Sequence, residues 1–184
     1  MAAEQDETDW IRLSREGNAE AFTELVRQYQ QMIHSLAYRM TGSMHDAEDL
    51  AQESFVRAWQ HLDTFQGESK FSTWLCRIAM NACLNWRKRE GRRGEIHETW
   101  AKDTLTERPP SEGRSVDLNQ RVQQALERLP AKQRAAIVLT VYQELSHAEA
   151  ARSLNCTEAT ISWRVFAARN KLRRWLANEE VTNE

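Results

Sequence analysis

No stretch of the chain holds the 18 consecutive apolar residues that would mark a membrane-spanning helix. Residues 1–9 are acidic and polar with no apolar core, so nothing there reads as a secretion signal. Cysteines are few. Cys76, Cys83 and Cys156 include no CxxC pair, which fits reduced thiols in a cytosol better than disulfides or zinc. Six glycines and three prolines in 184 residues are few for a β-sandwich, and no segment alternates long enough to be a strand. Secreted, collagen-like and membrane-inserted classes are excluded, and a cytoplasmic protein is expected.

What is present is helical periodicity. Phe22, Leu25, Val26, Tyr29, Met32, Ile33, Leu36 and Met40 step by threes and fours. Residues 19–40 therefore read as one helix, with Asn18 as N-cap and Gly42 as its stop. Ser43 to Asp46 has the S-x-x-D form that opens a helix, and Leu50, Ala51, Phe55, Ala58 and Leu62 continue its stripe. A third helix follows the turn 65–68, with Phe71, Leu75, Ile78, Ala79, Ala82 and Trp86 on one face. Its Cys76 and Cys83 are expected as small buried residues rather than ligands.

From Gly91 to Ser115 the pattern fails, with three glycines, the Pro109–Pro110 pair, and Trp100 outside any stripe. Periodicity resumes at Leu118, Val122, Ala125, Leu126 and Leu129; Pro130 then suits the first turn of a helix burying Ile137, Val138, Val141 and Tyr142. The expected fold is all-α. Two small helical domains, residues 1–92 and 117–184, are joined by a flexible linker over 93–116, the C-terminal domain being a helix-turn-helix.

The net charge of -2 conceals a strong asymmetry. Residues 1–63 carry 12 acids and 5 bases, whereas residues 64–94 carry 2 acids and 7 bases. An acidic block followed by basic ones suggests different partners for different faces.

Ser146-His147-Ala148-Glu149 is a capping-box sequence opening a helix to about Leu154. Asn155-Cys156-Thr157 can form a tight turn, because asparagine tolerates left-handed backbone. Thr157 can then cap a second helix from Glu158 to about Trp175. That is helix-turn-helix geometry, with an ordinary helical hairpin as the alternative. At about 100° per residue, Ile161, Val165, Ala168, Leu172 and Trp175 form the core stripe of this helix. Trp163, Phe166 and Asn170 face the other way. The two aromatics either meet DNA, with Arg164, Arg169, Arg173 and Arg174 on phosphates, or pack on the other domain.

Asp46, Asp49 and Glu53 share a face of the second helix with Glu48 and Gln52 nearby, as a solvated face or as a dock for a basic protein. Carboxylates on one rigid helix rarely close a metal's coordination sphere. On the third helix Lys70 and Arg77 precede Asn81 and Asn85, one turn apart, and a run of cations follows. Asparagine amides can bond a base edge while cations track a backbone. A merely solvated polar side is the alternative.

Asp46-Ala-Glu-Asp-Leu-Ala-Gln-Glu-Ser-Phe-Val-Arg-Ala-Trp59, Phe71-Ser-Thr-Trp-Leu-Cys-Arg-Ile-Ala-Met-Asn81, Leu129-Pro130, and Glu144-Leu-Ser-His-Ala-Glu-Ala-Ala-Arg152 through Thr160-Ile-Ser-Trp-Arg164 occur in this order. In these pieces, and over most of residues 10–176, the chain resembles the extracytoplasmic-function sigma factors of bacterial RNA polymerase. The resemblance implies that Asp46, Asp49, Gln52, Glu53 and Arg57 dock on the β′ clamp helices of the polymerase core, with the β flap as a further contact. It implies that residues 65–88 read and melt the promoter −10 element. Asn81 and the Phe65–Phe71 loop would line a pocket for a flipped base, and Ser69, Lys70, Arg77, Asn85, Arg87 and Lys88 would be further DNA contacts. The −35 element would be read by the side bearing Ser162, Trp163 and Phe166, supported by Thr157, Thr160, Arg164, Arg169 and Arg173.

On the same resemblance, the linker threads towards the polymerase active centre. An anti-sigma protein is an expected partner, wedged between the two domains. Asn155 stands where the family often has glycine. Trp163 and Ala167 stand where small and basic residues are frequent, so the family's −35 preference does not carry over. No nucleophile–base set, phosphate loop or metal cluster appears, so neither an enzyme nor a cofactor is expected. The rival reading, a free-standing helix-turn-helix regulator with a sensing or dimerising N-terminal half, leaves the acidic and asparagine-bearing helices unexplained.

Overall fold

The computed structural model describes residues 2–100 and 118–181, with side chains for 6–91 and 118–177. Its α-helices are α1 (Ala2–Arg15), α2 (Ala19–Thr41), α3 (Met44–Gln60), α4 (Phe71–Trp100), α5 (Leu118–Glu127), α6 (Ala131–Ile137), α7 (His147–Ser153) and α8 (Glu158–Val181). A 3-10 turn, Leu62–Thr64, lies between α3 and α4, and a π-helical turn, Val138–Tyr142, extends α6. No strand occurs among the described residues.

The helix boundaries follow from local polar chemistry. Asn18 Oδ1 accepts the Ala21 N–H to open α2, and Gly42, at φ +79°, closes it with its N–H on Tyr38 O. Ser43 caps α3 through the Asp46 N–H. Ser146 and Glu149 form a full capping box on α7: Ser146 Oγ takes the Glu149 N–H, and Glu149 takes the Ser146 N–H. Ser146→Ala should cost about 1 kcal/mol, read as a fall of about 2–4 °C in thermal melting. The Ser146 bonds hold the Glu149 carboxyl below the usual carboxylate range. The stability tied to that shift is complete above the ordinary carboxylate pKa and is lost as pH falls through the lowered one.

The stripes expected for α2, α3 and α4 form one core, in which Leu25, Ile33, Leu36, Met40, Ala58, Leu75 and Ala79 are fully buried. Cys76 and Cys83 are buried too, and burial pushes both thiols up to about 12. The core continues without a break into Leu126, Leu129, Val138, Leu139 and Ile161 of the C-terminal half. Polar contacts stitch the same seam. Gln123 donates to Tyr38 O at 3.2 Å, the Arg39 guanidinium lies 3.6 Å from the Tyr142 ring centre, and Thr73 donates to Glu149 at 3.4 Å. A Cβ at Gly42 would collide with the Glu127 carboxylate.

At this seam Arg134 is 0% exposed. Its Nη1 donates to Met40 O at 2.8 Å, at the carbonyl end of α2, where the helix dipole favours a cation. Its Nε and Nη2 have no hydrogen-bond partner among the described residues. Burial, then the neighbouring Arg87, bring its pKa down to about 10, which still leaves it charged at neutral pH.

Four features depart from the sequence expectation. α1 is an additional helix, held by buried Ile11 and Ser14. Val141 is exposed rather than buried: the π turn pairs the Gln143 N–H with Val138 O, five residues back, and Leu139 takes the core position. Leu118, at the first position of α5, is 65% exposed instead of joining the stripe. The helical backbone of α4 runs through Gly91 and Gly94 into the stretch read as linker, since no proline interrupts it and each glycine costs only about 1 kcal/mol. Trp100's side chain and residues 101–117 lie outside the described residues.

Candidate functional site

Three surfaces collect most of the residues singled out above. The first is a cavity of about 790 Å3, inside the roughly 300–1,000 Å3 range of ligand clefts. It is built where the 3-10 turn and the loop after it meet α4. Phe65, Ser69, Arg77 and Asn81 line it, as expected, together with Thr73 and Trp74. Phe65 stands edge-on to Phe71 with ring centres 5.5 Å apart, and also lies 5.5 Å from Trp74. The aromatic wall is therefore fixed by mutual packing, whereas Asn81 and Arg77 are exposed.

Lys70, Asn85 and Lys88 are exposed but do not line the cavity. Arg87 turns away from it, donating to Met40 O at 3.2 Å beside Arg134. Burial lowers its pKa. Arg57 borders the cavity from α3, as do Arg152 and Ser153 from α7. No pattern along the chain could place those two there, because α7 is far away in sequence.

Because Asn81 is exposed, Asn81→Ala should leave folding intact. If the cavity takes a base, open-complex formation should fall roughly tenfold, the scale of one good base contact, and preference at one −10 position should relax. Permanganate footprinting on a promoter melted by the holoenzyme measures both.

The second surface is the acidic side of α3. Asp49 and Gln52 are exposed, while Asp46, Glu53 and Arg57 are half-buried. Glu53 pairs with Arg57, and His45 Nε2 lies 3.8 Å from Asp49 Oδ2. A groove bordered by Asp46, Asp49 and Glu53 separates this side from Trp86, Arg89 and Glu90 of α4. Val56, on the same side, is exposed. An apolar residue amid carboxylates breaks the polar pattern of a solvated face, and it lies off the buried stripe of α3.

The third surface is the outer side of α8. Ile161, Val165 and Ala168 are buried, whereas Trp163 and Phe166 are 63% and 66% exposed, so the other domain does not cover them. Arg169 and Arg173 are exposed beside them. Asn155 adopts φ +48°, the left-handed turn expected of it. Thr157 and Thr160 are engaged in the cap: Thr157 Oγ1 takes the Thr160 N–H, and the two hydroxyls are 2.8 Å apart. Ser162 is bonded to His147 across the helix pair at 2.9 Å, and Arg164 donates to Cys156 Sγ at 3.5 Å. That leaves Trp163, Phe166, Arg169, Arg173 and Arg174 as exposed groups of this helix among the residues singled out.

Among the described residues no helix is long and apolar enough to cross a membrane, and no group of three or more metal-ligating side chains occurs. Residues 25–93 match the family description Sigma-70 region 2, and residues 119–172 match Sigma-70, region 4. The chain is 36% identical over 176 residues to the ECF RNA polymerase sigma factor SigW of Bacillus subtilis, covering 90% of this chain and 94% of that one. It is 34% identical over 177 residues to the ECF RNA polymerase sigma-E factor of Escherichia coli K12, covering 90% and 92%.

Among solved structures, the sigma factor RpoE of Bartonella quintana, in complex with the anti-sigma factor NepR, superposes with a TM-score of 0.70 at 29% identity, covering 86% of this chain and 98% of that one. CnrH, in complex with the cytosolic domain of CnrY, gives 0.68 at 26% identity, covering 94% and 98%. A two-domain helical protein with a helix-turn-helix at its C-terminal end is therefore a promoter-specificity subunit. The chain belongs to the ECF sigma factor family and directs transcription initiation; it is not an enzyme.

Proposed function

We propose that the acidic side of α3, with Asp46, Asp49, Gln52, Glu53 and Arg57, docks on the β′ clamp helices of RNA polymerase core. The cavity bounded by Phe65 and Asn81 takes an unstacked base of the −10 element, and Ser69, Lys70, Arg77, Asn85 and Lys88 contact the same DNA. The outer side of α8 reads the −35 element through Trp163 and Phe166, while Arg169 and Arg173 neutralise phosphates, and the β flap holds the C-terminal domain. The observation that carries this is the outward aromatic pair of α8, large apolar surface left uncovered by the described residues. Runoff transcription with polymerase core, with and without this chain, tests it: specific start sites should appear only when the chain is added. Their absence on every template of a genomic promoter pool would refute it.

We assign an anti-sigma protein as a second partner on the likeness to RpoE, which was solved in complex with the anti-sigma factor NepR. A partner wedged between the two domains would have to displace the bond of Arg134 to Met40 O and the shared core at Leu139.

A further inference from the structure

Helix α1 lies outside residues 25–93, which match the region 2 description, yet it reaches the cavity wall from behind at two points. At its C-terminal end Arg15 Nε donates to Leu62 O at 3.3 Å. The same carbonyl accepts the Phe65 N–H at 3.2 Å, so it closes the 3-10 turn that presents Phe65. The Arg15 guanidinium also sits 5.8 Å from the centre of the Phe65 ring, within range of cation–π attraction. Nearer the start of α1, Glu7 accepts the Tyr29 hydroxyl, and the Tyr29 ring packs 5.6 Å from Phe71. Phe71 in turn supports Phe65 and Trp74, each at 5.5 Å. Ile11 and Ser14, buried between these points, seat the helix.

Both contacts of Arg15 converge on one turn, and that turn carries a cavity wall. Arg15 itself is exposed, so it adds little to global stability. We propose that α1 is a brace for the base cavity, with Arg15 a positioning residue for −10 recognition that acts through Leu62 and Phe65 without touching DNA. This rests on the assignment of the cavity to an unstacked base.

The test uses holoenzyme reconstituted with the full chain, as parent, Arg15→Met, Arg15→Lys and Asn81→Ala. Each is titrated with fluorescein-labelled single-stranded DNA bearing the −10 sequence that parent holoenzyme selects from a randomised promoter pool. Arg15→Met should bind it about three- to tenfold more weakly, with reduced discrimination at one base position. Arg15→Lys, which keeps a donor and a cation, should recover most of that loss. Core affinity and melting temperature should match the parent in both. Parent-like binding by Arg15→Met beside weakened Asn81→Ala would overturn the brace and leave the cavity assignment standing. Parent-like binding by Asn81→Ala would overturn the cavity assignment, and the brace with it. A loss in Arg15→Met that tracks melting temperature and core affinity, without rescue by lysine, would also overturn the brace.

Discussion

Trp163→Ala should lower transcription from a promoter bearing the native −35 sequence by roughly tenfold to a hundredfold, while transcription from scrambled upstream DNA barely changes. The size follows from losing one good base contact, about 1–3 kcal/mol. The structure sharpens the expectation, because Trp163 is exposed on the far side of α8 from buried Ile161 and Val165. An exposed substitution away from caps and core usually changes stability by no more than about 0.5 kcal/mol, so melting should shift by only about 1–2 °C. Arg173→Ala is the contrasting variant. It should weaken all sequences alike and flatten the salt dependence of binding, since a phosphate contact carries no sequence information. A large drop in melting temperature for Trp163→Ala with −35 discrimination intact would make it a packing residue and leave the readout to others.

Reversing Asp49 and Glu53 to lysine should reduce affinity for polymerase core by roughly tenfold or more, since like charges set against each other across an interface cost several kcal/mol. The helix itself should tolerate the change. Glu53→Lys replaces the pairing with Arg57 by a like-charge i,i+4 pair, a penalty of only about 0.2–0.5 kcal/mol on an exposed helix. Circular dichroism and thermal melting should therefore stay close to the parent while core binding, followed by fluorescence anisotropy, falls. Salt should narrow the difference, because part of the effect is long-range attraction. Equal core affinity in the double variant would refute the docking assignment.

Where local chemistry decides the outcome, the chain is readable. Asn18, Ser43 and Ser146 cap helices because a short side chain can meet the free N–H groups, and Asn155 turns left-handed because it tolerates positive φ. The outward placement of Trp163 and Phe166 follows from periodicity alone. Other features depend on what meets what in space. Helix α1 offers only Trp10, Ile11 and Leu13 as large apolar side chains in an acidic stretch, and its stripe is too sparse to notice. The π turn depends on backbone pairing that side-chain spacing does not report, which is why Val141 and Leu139 exchange places. Arg134 is a cation in a core position, against the ordinary rule for charged residues. Arg87 looks like one member of a basic run, yet it shares a carbonyl with Arg134. The cavity needs α7 beside α4, a juxtaposition between distant parts of the chain that no local pattern encodes.

That juxtaposition has a consequence of scale. In the packed form α7 borders the cavity with Arg152 and Ser153 while bonding to α8 through His147 and Ser162. The surfaces assigned to the two promoter elements are thus joined through a single short helix. The element positions themselves are about 25 base pairs apart, or about 85 Å of duplex at 3.4 Å per pair. A compact chain of 184 residues has a radius of gyration of about 16 Å, so it cannot bridge that span. The domains must part before both elements are held. Separation returns to water the two unpaired nitrogens of Arg134, which offsets some of the apolar seam it exposes. On these assignments the ruler for the promoter is whatever seats the two domains apart, rather than any contact the chain makes with itself.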